Sequence, residues 1–485
     1  MPLGFFTKRL ELLSDNEVYM IRENALDILE KVGFVFDHQG VLKLFEKYGS
    51  VVDYKRRLVK IPRELVLERV SKAPKLSSVS SPDKKCRTKI GDGKLKTSMC
   101  CEIYLVDYLK MKRRLATTED CIKSIVLGNS LKNISFVTPF VMPSDVPLEL
   151  RDIHSFKLLF MYSKKPCGSW IYSPDSLKYI IEMGKIVAGG EEELRKMKLI
   201  RYDAEPTSPL QLSRHAIEIL IELSKYEQPI SAVGSMTLMG GTGPVTIAGS
   251  LSLQTTEVLA GITLVNLLNP KTPIYFFTSI HVLDQRTGLC CFGAPENILA
   301  CLAGIQVAKS FNLPCFCNVG LTDSNYPDFQ AGFEKGLSTA LVIAAGAEGI
   351  GAQGIVGADQ GASWEQLVVD NEWLDYFNRI LRGFEVNSET LALNIIEKVG
   401  PRGNFLKEIH TVKHLRKELW FPKIFNRESW ATWIKNNKSL LSKAHSTVET
   451  ILKENYPPEP IIDKNIVKDL NKIEEKAKHE LHKRH

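Results

Sequence analysis

From about residue 98 to about residue 385 the sequence repeats one device: a short β-prone run, an amphipathic helical stretch, then another run. Helical crossovers of this length join parallel strands, because antiparallel neighbours need only a tight turn. Eight runs are present: Met99 to Val106, Ile134 to Val141, Pro166 to Tyr172, Lys198 to Glu205, Pro229 to Met236, Pro273 to Ile280, Pro314 to Val319 and Gly349 to Ile355. Several open on a proline directly after a helix, as in EQPIS, KTPIY and NLPCF. There proline stops the helix and takes a first strand position, where no central ladder bond is lost. Eight such runs favour an α/β fold of the TIM (β/α)8 barrel type over an open doubly wound sheet, with Lys198 to Glu205 the most weakly marked.

The flanks read differently. Residues 1–95 form an N-terminal helical cap: Ser14 to Glu17 spells a capping box, and Val18, Ile21, Ala25, Ile28 and Leu29 follow at helical spacing up to Gly33. A second helix is expected at about 39–48, then a short extended pair around Val51 and Val59, then a helix opened by Pro62 and ended near Pro74. The barrel is assigned to 96–385. Residues 386–485 form a C-terminal helical extension, with the stiff linker YPPEPIID and a charged amphipathic helix from Asn465 to His485. That last helix reads as a solvated surface helix, with a docking element for a partner as the alternative. A barrel absorbs roughly 250 to 400 residues, so one large domain with additions accounts for all 485.

Composition removes several classes of function. With 44% hydrophobic and 25% charged residues the chain is neither disordered nor a disulfide scaffold. The net charge of +7 is small for this length, so nucleic acid is not an expected partner. The ten cysteines include the adjacent pairs Cys100 with Cys101 and Cys290 with Cys291, poor disulfide partners, which suits a reducing cytoplasm. The N-terminus meets charge before it builds an apolar signal core, and the most apolar windows, 247–268 and 337–350, are broken by Glu257 and Glu348. Neither secretion nor a membrane span is expected.

In a barrel of this kind the chemistry sits in the loops after the strands. The fifth-strand loop GSMTLMGGTGPVT could cradle a phosphate on its backbone N–H groups, or form a glycine-lined wall against a large flat ligand. After the sixth strand, His281, Asp284 and Arg286 share one loop, open either to His–Asp proton transfer or to an internal Asp–Arg pairing. After the seventh, Asp323 and Asp328 flank Tyr326, and Phe329 follows, which suits a cation without N–H donors or, alternatively, a helix N-terminus. Tyr104, Trp170, Tyr172 and Phe276 sit at or near strand ends, where core packing and an aromatic cage compete. Cys315 and Cys317 share a strand face, as do Cys167 and Ser169, but without further ligands they read as buried thiols and no metal site is expected.

The blocks GGTGPVTIAGSLSLQTTEVLAG, RTG with GAPE, NLPCF, TDSNYPDFQAGFEKG and WEQLVVDNEW, with NFLKEIHTVKHLRKELWFPKIFNR at 404–427, resemble the trimethylamine methyltransferase (MttB-like) superfamily. ALDILEKVG and VDYLKMKRRLATTED extend the likeness more weakly toward the N-terminus. The resemblance implies a TIM barrel that moves a methyl group from an amine to the cobalt of a separate corrinoid protein. The founding type carries pyrrolysine in the seventh loop, where this chain reads Asn325 and Tyr326, so it looks like a non-pyrrolysine member similar to the glycine betaine methyltransferases. Some members carry histidine after the eighth strand, where this chain reads GAQG at 351–354.

On that resemblance the substrate is a quaternary, betaine-like amine. The expected catalytic residues are Asp323 and Tyr326. Tyr104, Trp170, Tyr172, Phe276 and Phe329 offer ring faces, Arg286 a fork for a substrate carboxylate, Asp284 a counter-charge, and Gln353 a further substrate contact. Gly240, Gly241, Thr242 and Gly243 form the expected landing surface for the corrinoid. The chain has no cobalt-ligating DxHxxG motif, so the corrinoid is expected on a cognate partner protein rather than tightly bound. Self-association is left open. The competing readings are a barrel that binds a betaine or a corrinoid protein without turnover, and a barrel lyase acting on a phosphorylated substrate.

Overall fold

The computed structural model describes residues 9–231 and 236–482. It is a mixed α/β structure in which short parallel strands alternate with long helices. Lys96–Met99 pairs in parallel with Gly349–Gln353, that strand with Cys315–Cys317, and Cys315–Cys317 with Phe276–Thr278. Tyr202–Asp203 pairs in parallel with Ile230–Ser231. Single parallel bridges join Ser98 to Phe136, Val137 to Cys167, Gly168 to Arg201 and Ile230 to Ile274. Every expected run therefore contributes parallel backbone pairing, the fourth included.

The first run begins earlier than its composition suggests. Its parallel strand is Lys96–Met99; Cys101–Glu102 then pairs with Phe140–Val141, and Tyr104–Asp107 turns back into a hairpin with Lys112–Leu115. Lys96, Thr97 and Ser98 are buried in spite of their polarity, which is why hydropathy places the start too late.

In the N-terminal region the Ser14–Glu17 capping box forms, and helix Asp15–Asp27 buries Val18, Ile21, Ala25 and Leu26. Gln39–Lys47, the pairing of Val51–Asp53 with Leu58–Lys60, and helix Arg63–Lys72 follow as the spacing predicts. The antiparallel pair Ser77–Ser80 with Arg87–Ile90 was not anticipated. Its Val79 and Ile90 cluster with Phe136, Tyr275 and Phe316, covering the amino ends of the parallel strands. Only two large apolar side chains in a serine-rich stretch carry that contact, so the sequence signal is faint.

Helix Ile247–Leu268 is long and apolar enough to cross a membrane, but 94% of its apolar window is buried inside the protein. Its Glu257 accepts hydrogen bonds from Ser208 Oγ (2.8 Å) and Leu210 N (2.8 Å), satisfying a carboxylate in the core. The last helix, Lys464–His482, packs against Pro174–Ala188 and buries Leu470, Ile473, Ala477 and Leu481. Glu474 on this helix accepts from His154 Nδ1 (2.6 Å) and also pairs with Lys157. The helix is thus docked on its own chain, and only its outer face is solvated. By contrast, the helices Ser388–Leu391, Leu393–Val399, Ile409–Glu418 and Trp430–Asn436 bury no residue. None of the ten cysteines is in a disulfide.

Candidate active site

A cavity of about 470 Å³ opens at the carboxyl ends of the parallel strands. Residues from most of the expected strand runs reach it: Glu102, Trp170 and Tyr172, Arg201 and Glu205, Phe277, and Asp359. Each is held by local structure. Trp170 Nε1 donates to the Cys101 carbonyl (3.1 Å), which fixes the indole beside the first strand's end. The backbone N–H of Tyr172 donates to Asp152 Oδ2 (2.9 Å), and Asp152 also takes bonds from Ile153 N and Ser176 Oγ. The Arg201 guanidinium lies 5.0 Å from the centroid of the Phe136 ring, a cation–π contact on the cavity wall.

Asp359 is delivered by an unusual loop. Gly357, Ala358 and Asp359 stand consecutively in the left-handed region, at φ of 68°, 50° and 67°. For a residue bearing a Cβ this costs on the order of 1 kcal/mol, and aspartate tolerates it better than most. Gly357 N donates to Ser324 O (2.7 Å) and Ala358 N to Thr322 O (2.9 Å), so the seventh-strand loop clamps the strained turn. Below it, the buried Lys335 Nζ lies 3.2 Å from Asp370 Oδ2, which also accepts from Gly354 N (2.6 Å). A satisfied ion pair thereby anchors the end of the eighth strand.

The carboxyl groups of Glu102 and Asp359 come within hydrogen-bonding reach of each other. Two ionised carboxylates at that range repel, and a proton between them turns the repulsion into a hydrogen bond. Burial pushes the Glu102 carboxyl well above the ordinary carboxylate range, and the neighbouring Asp359 pushes it further; burial raises Asp359 as well. Glu102 is only 7% exposed, whereas Asp359 has an accessible surface that faces the cavity. The pair therefore presents one wetted carboxylate with a buried partner behind it.

The residues expected from sequence divide into two groups. Trp170 and Tyr172 line the cavity. Phe276 is fully buried, and its neighbour Phe277 lines the cavity instead, because adjacent residues of a strand face opposite sides. Gln353 is also buried, its Nε2 donating to Gly351 O (3.0 Å). Tyr326 lines a neighbouring pocket of about 340 Å³, where its hydroxyl donates to Tyr108 O (3.0 Å) and its ring stacks on Tyr108. Tyr104 sits in the adjoining hairpin with the Arg113 guanidinium 4.5 Å from its ring centroid. Asp323 accepts from Phe292 N (2.6 Å) and Gly293 N (3.1 Å), so it braces the 290–293 segment.

The remainder stand away from the cavity. Asp328 caps helix Phe329–Ala345 and accepts from Ala331 N, which leaves Phe329, the first helical residue, 90% exposed. Arg286 is paired with Asp284 (3.2 Å) and its side chain is 89% exposed, so the fork points to solvent. His281 is fully buried beside Ser279 (3.1 Å) and Phe292, its basicity pushed down to about 4 by burial; Asp284 is engaged with Arg286 rather than with it. Gly240, Gly241, Thr242 and Gly243 form a turn just beyond the strand Thr237–Met239, with the first two exposed and the last two half-buried. The N–H groups of Gly240, Gly241 and Gly243 bond to carbonyls within the turn, which removes the phosphate cradle as a reading of them. Gly234 and its neighbours 232–235 lie outside the described residues.

The sequence profile of the trimethylamine methyltransferase (MTTB) family matches residues 6–482. This chain belongs to that family. Similar proteins include a trimethylamine methyltransferase of Desulfitobacterium hafniense (strain DSM 10664 / DCB-2), 30% identical over 96% of this chain and 94% of the relative. A glycine betaine methyltransferase of Desulfitobacterium hafniense (strain Y51) is 27% identical over 95% of this chain and 96% of the relative. Among solved structures, the crystal structure of the hydroxylamine MtmB complex aligns over 90% of this chain and 94% of that one, at 12% identity with a TM-score of 0.51. A likeness at that identity concerns the fold alone. Family membership makes the protein an enzyme, a methyltransferase.

Glu102, Arg201, Glu205 and Asp359 are the charged cavity residues that sequence reasoning did not single out. The signal for three of them was present: a charged residue inside a β-prone run, at or toward its carboxyl end, has no reason to be there for packing. Asp359 lies in a loop with no such mark.

Proposed function

We propose that this methyltransferase moves a methyl group from a quaternary, betaine-like amine to the Co(I) of a corrinoid carried by a cognate protein. The observation that carries this reading is the cavity itself, which sets indole, phenol and phenyl faces beside a carboxyl pair. A quaternary ammonium has no N–H, so only ring faces and diffuse negative charge can recognise it. We also take the parallel pairings to close an eight-stranded barrel across 96–385, flanked by the segments 1–95 and 386–485. Each run has a parallel neighbour on both sides, which supports closure.

The residues present fit a corrinoid brought from outside. The cavity is open at the strand ends, Met236 lines it, and the strand Thr237–Met239 leads from there to the turn 240–243. Gly240, Gly241, Thr242 and Gly243 present no bulky side chain that would hold a macrocycle off. When bound, the corrinoid supplies the nucleophile that accepts the methyl group. The protein's own task is alignment: Trp170 and Tyr172 hold the methylated head, and the carboxyl pair fixes its charge. The N–CH3 bond breaks with its electron pair left on nitrogen, so the amine departs neutral and no proton donor is required.

Incubation with free cob(I)alamin and a panel of quaternary amines tests the proposal through the corrinoid's absorbance. Methyl transfer from a betaine-like amine, dependent on both the protein and the corrinoid, is the expected result. No transfer from any quaternary amine, with transfer from tertiary amines only, overturns it.

A further inference from the structure

We propose that Glu102 and Asp359 form the anionic subsite for the substrate's ammonium head, and that the pair gives up its one shared proton as the cation enters. This rests on the functional reading above and adds to it the residues that meet the cation and the proton stoichiometry of binding.

The geometry supplies the argument. The two carboxyl groups meet at the wall of one cavity, one from the end of the first strand and one from the loop after the eighth. Three successive left-handed residues, clamped by Ser324 and Thr322, place Asp359 there, a strained arrangement fixed by its surroundings. Without a ligand a shared proton relieves the pair, because two negative charges at hydrogen-bond distance repel strongly.

The other charged and titratable groups facing the pair do not relieve that repulsion. Arg201 and Glu205 line the same cavity, one basic and one acidic, and neither is among the groups that shift Glu102 or Asp359. Tyr172, Cys100 and Cys101 line it too, and burial raises both Tyr172 and Cys100 far from ionisation. Cys290 feels Asp359 and is pushed up to about 12, chiefly by burial. Lys335 is engaged with Asp370. A permanent cation entering beside Trp170 and Tyr172 therefore brings the charge that the pair lacks, and the proton between the carboxyl groups is no longer needed. The balance is one cation in, one proton out to solvent, with no bond to carbon made or broken.

Calorimetry in buffers of differing ionisation enthalpy counts the protons directly. Glycine betaine and tetramethylammonium are the probes, and 3,3-dimethylbutyrate, the carbon isostere of betaine, is the uncharged-head control. Wild-type protein is expected to release about one proton per bound cation at pH 7, and its affinity to rise by up to about tenfold per pH unit between pH 6 and 8. The isostere should release none. E102Q and D359N each leave one ionised carboxylate that accepts from the new amide, so both should bind the cations with no proton release and a flat pH profile. Their circular dichroism and melting curves report folding independently.

Proton release that persists in both variants, equal release with the isostere, or no binding of either cation at millimolar concentration overturns the proposal. The two readings fail separately. Cation binding with proton release but no methyl transfer sinks the functional reading alone, and methyl transfer with a pH-independent KM sinks this one alone.

Discussion

Two loops at the carboxyl ends of the parallel strands use an aspartate in opposite ways. After the sixth strand, Asp284 is paired with an Arg286 that is 89% exposed, and the two answer each other in solvent. After the eighth, Asp359 is turned inward by a left-handed segment onto Glu102, with no cation against either carboxyl group among the described contacts. The first loop is richer in charge by sequence, yet its charges are already satisfied. The second has charge left over at the wall of a cavity, and that residual charge is what a substrate cation can use.

The eighth-strand loop stands on a buried ion pair. Lys335 and Asp370 are each 1% exposed, and removing one member of such a pair leaves the other charge buried and alone. K335A should destabilise the protein by about 3–5 kcal/mol, read from chemical denaturation. A loss below 1 kcal/mol would mean that the loop does not depend on this anchor.

Next in size is the loss of the inward aspartate. At pH 8, D359N should lower kcat/KM for a quaternary amine by roughly 10- to 100-fold, the scale of a lost charge-assisted contact. The ring faces come third: W170A should weaken binding of the cation by about 0.5–2 kcal/mol, whereas F329A, on a side chain 90% exposed, should leave it unaltered. Titration calorimetry on the two variants separates them.

A smaller effect concerns stability and pH. Both carboxyl groups of the pair stand above their ordinary range when folded, while in the unfolded chain they ionise near pH 4. Above about pH 4 the folded state holds the extra proton, so this contribution favours folding at low pH and is lost as pH rises through the folded value. E102Q removes the proton-holding member. Its Tm relative to wild type should therefore climb between pH 5 and pH 8, by about 1 °C for each 1 kcal/mol involved in a chain of 485 residues. The smallest expectation belongs to the outer loop, where R286A should change affinity for a betaine less than twofold.

Much of the architecture was legible because it rests on strong local signals. The Ser14–Glu17 box, the proline-led strands and the helix opened by Pro62 depend on residues within a few positions of one another. The hairpin at 77–90 escaped because its burial is set by distant Phe136, Tyr275 and Phe316. In the site, Trp170 and Tyr172 could be found from their place at a strand end. Phe276 was one residue from the cavity-facing position, and in a strand one residue is the difference between two faces. Arg286 and Phe329 carry the right chemistry in the right loops, and only the backbone decides that they turn outward. Glu102 and Asp359 come from opposite ends of the strand order and meet because Gly349–Gln353 pairs with Lys96–Met99. No periodicity encodes that meeting.

The most direct test of where the cation sits is a crystal structure with arsenobetaine, in which arsenic replaces the betaine nitrogen and marks its own position by anomalous scattering. One strong peak is expected inside the cavity, bounded by Trp170, Tyr172 and the Glu102–Asp359 pair. A peak beside Arg286 and Asp284, or beside Phe329, with the cavity empty, would contradict it.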